Sequence, residues 1–256
     1  MITIKTEKEI EILKEGGKRL ATILKLVAAE VRPGVMTDYL NTKAQELIEA
    51  GGDKSAFLDY QPKGAPRPFP ASLCVSINDE VVHGIPNEKP RELRNGDVVS
   101  LDLGLIHNKM FTDHATTVGV GEISAEAKRL LEVTQKALNV GIAAAKPGKR
   151  TGDIGYAIQK YVEKFGFGII EELAGHGVGY SVHEDPFVPN YGEPNEGVLL
   201  KPGMVIAIEP MFTLGKPDIK FMKDGYTIKT KDKSLAAHFE HTIVITETGA
   251  EILTRS

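Results

Sequence analysis

Two segments of the sequence contain an apolar run that is followed directly by an acidic residue. If each run is a buried strand, a carboxylate stands at its end. Segment 200–212 reads LLKPGMVIAIEPM, and segment 93–104 reads LRNGDVVSLDLG. When they are aligned without gaps, their glycines and apolar positions coincide, and Asp102 falls opposite Glu209. A buried carboxylate is costly unless it is paired or bound to metal. Each acid, taken singly, is a candidate for a buried salt bridge or a metal site.

A second pair of acids follows the same logic. Segment 112–118 (TDHATTV) resembles segment 239–245 (FEHTIVI), which aligns Asp113 with Glu240. Four crowded carboxylates would repel one another and raise their own pKa values. Divalent cations remove this repulsion, and two metals about 3.5–4 Å apart form a known hydrolytic device. Because two divalent ions balance four negative charges, the sequence favours a dinuclear site if the four acids meet.

Imidazoles occur in a glycine-rich segment, 174–186, which reads AGHGVGYSVHEDP. Glycines on both sides of His176 permit a close backbone approach, which suits a histidine that reaches a metal from a turn. His183 and His83 share the pattern V-H-x-x-P, so they form a second matched pair between the two parts of the chain. We expect these three histidines near the acids.

Three further histidines lack such a setting: His114, His238 and His241. Of these, His241 is the best candidate to orient a metal ligand, because it stands next to Glu240. His107 is predicted to be exposed to solvent.

The elements that must position these residues begin with a pair of helices. Thr6 and Glu9 match a capping box, and apolar residues at spacings of three and four follow to Val31. The dipeptide at 33–34, Pro-Gly, would end this helix. Thr37 is the predicted N-cap of a second helix that ends at a Gly-Gly pair.

The same unit returns later in the chain. Ser124 is the predicted N-cap of a third helix that continues to about Ala145, where another Pro-Gly pair follows. Thr151 is the predicted N-cap of a fourth helix, which ends near Gly166. Pro, Gly, Thr and Gln positions of the two helix pairs match at one constant offset.

These matches, in the same chain order, predict an internal duplication. The expected fold is α+β, with two half-domains related by a pseudo-two-fold and a mostly antiparallel sheet covered by helices. We expect one catalytic domain over 1–256, with half one at about 6–120 and half two at about 121–250. A pseudo-two-fold would bring the four acids together where the halves meet.

Composition limits the class of protein. A net charge of −4 and a pI of about 6.0 offer no basic surface for nucleic acid or membrane. Cys74 is the one cysteine, so no internal disulfide forms, which fits a reducing compartment. The charged N-terminal segment has no signal-peptide pattern, and no apolar run is long enough to span a membrane. We therefore expect a cytoplasmic protein.

Asp102, Asp113 and the motifs GHGVG…HEDP, IEPM and FEHTIVIT together resemble type I methionine aminopeptidases, metallopeptidases of the pita-bread fold. The resemblance covers nearly the whole chain, from about Thr6 to Glu247. It implies two divalent ions, whose ligand chemistry suits Mn, Fe(II), Co or Zn. The implied metal ligands are Asp102, Asp113, His176, Glu209 and Glu240.

The resemblance also implies a role for each ligand. Asp102 would chelate one ion, Asp113 and Glu240 would bridge both ions, and His176 with Glu209 would complete the second.

The implied catalytic residues are His83, His183 and Glu209. His183 would contact the scissile carbonyl or its oxyanion, and His83 would lie near the substrate N-terminus. Glu209 would also carry a proton to the leaving amine.

The implied substrate pocket is lined by Tyr60, Phe69, Cys74, Val182 and Tyr226, together with the two catalytic histidines. Segment 60–71 has four prolines, which predicts an extended loop that either borders the site or is a surface connection. The chain departs from the family at Val182 and Tyr226, where larger aromatic residues are usual, and in the motif around Asp113.

The implied reaction is metal-dependent hydrolysis of the first peptide bond, which removes N-terminal methionine from peptides and nascent proteins. A monomer is expected, and the resemblance also implies the ribosome as a candidate partner. Three alternatives stay open: an Xaa-Pro aminopeptidase or dipeptidase, a type II methionine aminopeptidase, and a binding protein that has lost its metals. The first usually has an added N-terminal domain, the second a helical insertion, and the third would have lost ligands.

Overall fold

The computed structural model describes residues 2–256, and four α-helices within this range cover antiparallel sheets. The helices are α1 (Glu7–Ala29), α2 (Thr37–Ala50), α3 (Ala125–Ala144) and α4 (Thr151–Val162). Thr6 and Glu9 form the predicted capping box, and Ser124 accepts a hydrogen bond from the Ala127 N–H as the predicted N-cap. The predictions for both helix starts are confirmed.

The predicted caps at Thr37 and Thr151 are wrong, because each threonine is the first helical residue and uses its hydroxyl elsewhere. The Thr37 hydroxyl donates to the Pro86 carbonyl and accepts from the Arg91 N–H. The Thr151 hydroxyl accepts from the Val198 N–H. Both side chains therefore tie a helix to a distant loop, which a local sequence pattern does not show.

Short strands build four sheets, and every strand pairing within residues 2–256 is antiparallel. The strands are β1 (Lys54–Ser55), β2 (Leu73–Ile77), β3 (Glu80–Val82), β4 (Val98–His107), β5 (Met110–Gly119), β6 (Gly168–Ile169), β7 (Gly175–Gly177), β8 (Glu184–Val188), β9 (Val205–Ile208), β10 (Met211–Thr213), β11 (Ile219–Phe221), β12 (Ile228–Thr230), β13 (Ala236–His238), β14 (His241–Ile245) and β15 (Ala250–Ile252). The α+β class and the antiparallel arrangement are confirmed.

Two sheets carry the predicted acids. The first contains β1, β4 and β2, with β5 also paired to β4. Its β4–β5 hairpin turns at Asn108 and Lys109, which both have positive φ, as a tight hairpin turn requires. The second sheet has the order β15-β14-β9-β7-β8.

Each of these sheets has its own helices and its own apolar core. Leu20, Leu24 and Leu40 from α1 and α2 are buried with residues of β2 and β4. Ile154 and Ile158 from α4 are buried in another core with residues of α3, β8 and β9. The proposed division into two related halves stays a prediction, and this two-core arrangement is compatible with it.

Hydrogen bonds join β5, on the side of the first core, to segment 238–242, on the side of the second. The Thr242 hydroxyl accepts from the Asp113 N–H and donates to the Asp113 carbonyl. The Thr117 hydroxyl bonds the N–H and carbonyl of His238 in the same way. This contact, called the seam below, brings β5 within reach of Glu240.

Candidate metal and active site

The four predicted acids converge at the seam, and all four are buried. The β4–β5 register pairs Asp102 with Ala115 and Gly104 with Asp113, so the two aspartates are diagonal neighbours on one face. The β9–β14 register pairs Ile208 with His241. Glu209 directly follows β9 and Glu240 directly precedes β14, so the two glutamates lie opposite each other just beyond the paired residues.

Burial and mutual repulsion raise the pKa values of three of these acids. Burial raises the pKa of Asp102 to about 6. Burial, followed by repulsion from neighbouring carboxylates, raises the pKa values of Asp113 and Glu240 well above the usual range. Within residues 2–256, Asp102 Oδ1 and Glu240 Oε1 are buried without a hydrogen-bond partner. Divalent cations fit this cluster, because they would satisfy the unpaired oxygens and offset the repulsion.

The structure brings His176 to the same cluster. Its Nε2 lies 3.4 Å from Glu209 Oε1 and 3.9 Å from Glu240 Oε1. Its Nδ1 lies 2.9 Å from the Gly177 carbonyl and donates to it, which directs the Nε2 lone pair at the carboxylates. Asp113, His176 and Glu240 offer ligand atoms that all lie within 4.8 Å of one another.

Close packing explains the glycines beside His176. Strand β7 lies between β8 and β9. A Cβ on Gly175 would lie 2.3 Å from the Ala207 carbonyl oxygen, and one on Gly177 would lie 2.0 Å from the Asp185 carbonyl oxygen. Glycine at both positions therefore lets three strands approach around the imidazole. The expected close backbone approach is confirmed, but His176 lies in a strand and not in the expected turn.

A further imidazole, His238, reaches the acids although its sequence setting gives no support for a place in the site. Its Nε2 lies 3.3 Å from Glu209 Oε2 and 3.9 Å from Glu240 Oε2. Glu209, His238 and Glu240 form a second group of ligand atoms within 4.8 Å. A strand-like alternation could have identified it, because residues two apart in an extended chain share a face and His238 precedes Glu240 by that spacing.

Both predicted catalytic histidines lie on the wall of a cavity of about 440 Å³ that also contains the acids. The His183 ring lies edge-on to His176 with centroids 4.5 Å apart, and its Nδ1 is 2.9 Å from the Tyr60 hydroxyl. Burial lowers the pKa of His183 to about 3 and that of His83 to about 4. Both imidazoles are therefore neutral near pH 7.

The predicted pocket residues form the apolar side of this cavity. Tyr60, Phe69, Cys74 and Tyr226 line it. The Phe69 and Tyr226 rings meet edge to face at 5.0 Å, and the Tyr226 hydroxyl donates to the Arg67 carbonyl in the proline-rich loop. Among residues 2–256, Val182 is buried in the same apolar cluster but does not line the cavity, so that prediction is wrong.

Two predictions for other histidines are also wrong. His107 is largely buried, with its Nδ1 2.7 Å from Asp53 Oδ1, because the β4–β5 hairpin folds back on the helices. His241 hydrogen-bonds Thr254 and stacks on His114 with centroids 4.5 Å apart. His114, rather than His241, hydrogen-bonds the Glu240 carbonyl oxygen, because β5 lies against this segment.

The fold and the acid–imidazole cluster define a class of metallopeptidase. The model of metallopeptidase family M24 matches residues 11–247, and the chain belongs to this family.

Within the family, the chain is similar over its whole length to several methionine aminopeptidases. The chain is 45% identical to methionine aminopeptidase 1 of Bacillus subtilis over 100% of both chains. It is 48% identical to the methionine aminopeptidase of Aquifex aeolicus, over 99% of this chain and 98% of the relative. The crystal structure of the Thermotoga maritima methionine aminopeptidase matches with a TM-score of 0.95 and 43% identity, covering 100% of both chains. The predicted family and its pita-bread fold are confirmed.

Proposed function

We propose that this protein is a methionyl aminopeptidase, which hydrolyses the first peptide bond of peptides and nascent proteins to release methionine. The observation that carries this function is the end-to-end similarity to methionine aminopeptidases at 45% and 48% identity. The cavity supports it, because an acid–imidazole cluster and an apolar pocket share one space.

Membership of family M24 implies divalent metal binding. We propose that Asp102, Asp113, His176, Glu209 and Glu240 hold two such ions. Two ions balance the four carboxylates, and the mixed oxygen and imidazole ligands suit Mn, Fe(II), Co or Zn. When bound, the ions would supply an activated water near pH 7 and polarise the scissile carbonyl.

The chain's own residues would handle protons and charge around the scissile bond. Glu209 would take the proton from the attacking water and deliver it to the leaving amine, since it lies in the cavity among the ligands. The Tyr60 hydroxyl oxygen lies 2.9 Å from His183 Nδ1. With this hydroxyl as the donor, His183 Nε2 would carry the ring proton and donate to the developing oxyanion. Neutral His83 would hydrogen-bond the substrate near its N-terminus.

The apolar side of the cavity supports specificity for methionine. Phe69, Tyr226, Tyr60 and Cys74 offer aromatic faces and one buried thiol to an unbranched thioether side chain. Sulfur contacts with aromatic rings are favourable, by about 0.3–1.5 kcal/mol each. We also propose a monomer that acts in the cytoplasm and meets chains emerging from the ribosome. Within residues 2–256, no helix is long and apolar enough to cross a membrane.

The test is release of the first amino acid from Met-Ala-Ser, Leu-Ala-Ser and Ala-Pro-Ser. The protein would be stripped of metal and reloaded anaerobically with Mn, Fe(II), Co or Zn, with Glu209→Gln as the matched variant. Metal-dependent release of methionine alone, lost in the variant, is the expected result. Release from Ala-Pro-Ser alone would assign a proline-specific peptidase. Folded protein without any release would indicate a binding protein.

A further inference from the structure

His238 differs from five other histidines of the chain in its hydrogen bonding. Five others have a ring-nitrogen partner: His107, His114, His176, His183 and His241. His238 is 1% exposed, and neither of its ring nitrogens has a hydrogen-bond partner within residues 2–256. A buried polar group without a partner is expensive, and such groups often indicate an unseen ion or water.

The backbone, rather than the ring, holds this residue in place. The His238 N–H donates to the Thr117 hydroxyl at 3.0 Å, and the Thr117 hydroxyl donates to the His238 carbonyl at 2.6 Å. These two bonds fix the main chain at His238, while both ring nitrogens remain without a hydrogen-bond partner. An ion at Nε2 would supply the partner that this nitrogen lacks.

The Glu209 carboxylate lies between two imidazoles. Its Oε1 is 3.4 Å from His176 Nε2, and its Oε2 is 3.3 Å from His238 Nε2. His238 groups with Glu209 and Glu240, whereas His176 groups with Asp113 and Glu240, and Glu240 is common to both groups. The two histidines therefore approach the acid cluster from different sides.

We propose that His238 is a direct metal ligand, through Nε2, of the ion that Glu209 and Glu240 hold. The site then has two imidazole ligands, His176 and His238, in addition to four carboxylates. This inference rests on the proposed metal pair. A second imidazole favours later transition metals over Mn, because nitrogen ligands strengthen the preference for Co and Zn relative to all-oxygen sites.

The test counts imidazole ligands in the Co(II)-loaded protein by proton NMR. Each coordinated neutral imidazole keeps a proton on its other nitrogen, which gives one strongly shifted signal that disappears in D2O. We expect two such signals in the wild type, and one each in His238→Gln and His176→Gln. His241→Gln is the control and keeps both signals, because His241 bonds Thr254 and stacks on His114.

Calorimetric titration with Co(II) and Mn(II) gives a second readout. His238→Gln should weaken Co(II) binding by at least about tenfold, and Mn(II) binding less, since the change removes a nitrogen ligand. One imidazole signal in the wild type, or unchanged Co(II) affinity in the folded variant, would overturn the proposal. If the variant does not fold, the wild-type signal count decides.

The outcomes also separate this inference from the proposed function. Methionine release by a wild type that shows one imidazole signal rejects His238 as a ligand and leaves the function in place. Two signals without peptide hydrolysis reject the function and leave the ligand in place.

Discussion

Burial acts in opposite directions on the acids and the imidazoles of the site. It raises the pKa of Asp102 to about 6 and those of Asp113 and Glu240 well above their usual range, whereas it lowers the pKa values of His83 and His183 to about 4 and about 3. In both residue types the charged form is disfavoured. Divalent cations would favour the charged form of the acids and not that of the two histidines. Metal binding should therefore release protons from the carboxylates and leave His83 and His183 neutral.

Asp113→Asn should stabilise the metal-free protein at pH 8. The pKa of Asp113 is raised in the folded state, so its contribution to stability is present below its unfolded value of about 3.9 and is lost as pH rises through the folded value. The difference in Tm between variant and wild type should therefore grow from pH 5 to pH 8. Thermal unfolding in EDTA measures it, and the comparison cancels the opposing contribution of the buried histidines. With Mn(II) added, the variant should be the less stabilised protein. A metal-free variant that melts below the wild type at pH 8 would contradict the repulsion.

His183→Gln should lower kcat/KM for a methionyl peptide by about 10²–10³, as expected for loss of an oxyanion donor. Bound metal, measured by mass spectrometry, should be unchanged, because His183 bonds Tyr60 rather than an acid. Tyr60→Phe is the milder comparison variant and should lower kcat/KM less, since it removes the hydroxyl beside the His183 ring but keeps the imidazole. Loss of metal in the glutamine variant would instead assign His183 to the ligand set.

At the scale of elements, strand β7 shows how a short strand delivers one functional side chain. It places His176 between β8 and β9, and the flanking glycines leave no room for a Cβ. Hairpin β4–β5 does the same for the aspartates, because its register sets both on one face. In the three-residue β7 and in the ten-residue strands β4 and β5 alike, the neighbouring strands determine where each side chain points.

Gly177→Ala should disturb β7 and, through it, the metal site. Its Cβ would lie 2.0 Å from a backbone oxygen, so the strands must separate, at a cost of about 1–3 kcal/mol for overpacking. We expect a lower Tm and weaker Co(II) binding by calorimetry, because His176 moves with the strand. Gly249→Ala is the matched control, since within the described chain a Cβ there meets no atom within 4 Å. Equal Tm values for the two variants would show that β7 tolerates the added carbon.

At the scale of the whole molecule, the site depends on the seam between the two cores. Asp102 and Asp113 lie in one sheet, whereas Glu209 and Glu240 directly adjoin the paired strands β9 and β14 of the other. The Thr117 and Thr242 hydroxyls connect them by satisfying backbone groups of both sides. Metal ions would join the same two parts, so ligand binding and global stability should be coupled.

Thr242→Val should lower both the global stability of the protein and its affinity for metal. It removes both hydrogen bonds to Asp113 and leaves a buried N–H unpaired, at roughly 1–3 kcal/mol. For a chain of this size, that corresponds to a fall in Tm of about 2–4 °C per kcal/mol. Thermal unfolding and Co(II) titration measure the two effects, and exposed Thr248→Val is the control. A lower Tm with unchanged Co(II) affinity would show that the seam does not position the ligands.

The sequence alone determined the class of fold, the helix pairs and five residues of the acid–imidazole cluster. The signals were local: one capping box and one serine N-cap, apolar periodicity, and motifs in which each ligand-type residue has its own neighbours. Such patterns are set by residues close in the chain, so they can be recognised before any tertiary contact is known. The pocket residues Tyr60, Phe69, Cys74 and Tyr226 came instead from the resemblance, and the structure places all four on the cavity wall.

Only the tertiary structure decided which further histidines meet the site. His238 faces the acids, His107 pairs with Asp53, and His114 rather than His241 contacts Glu240, through its carbonyl oxygen. The hydroxyl of Thr37 is likewise used at a distant loop and not as a cap. In each case the partner comes from a part of the chain far away in sequence, and the packing of β5 and its hairpin against remote segments selects it. The direction of a buried side chain is set by these long-range contacts, which no local pattern contains.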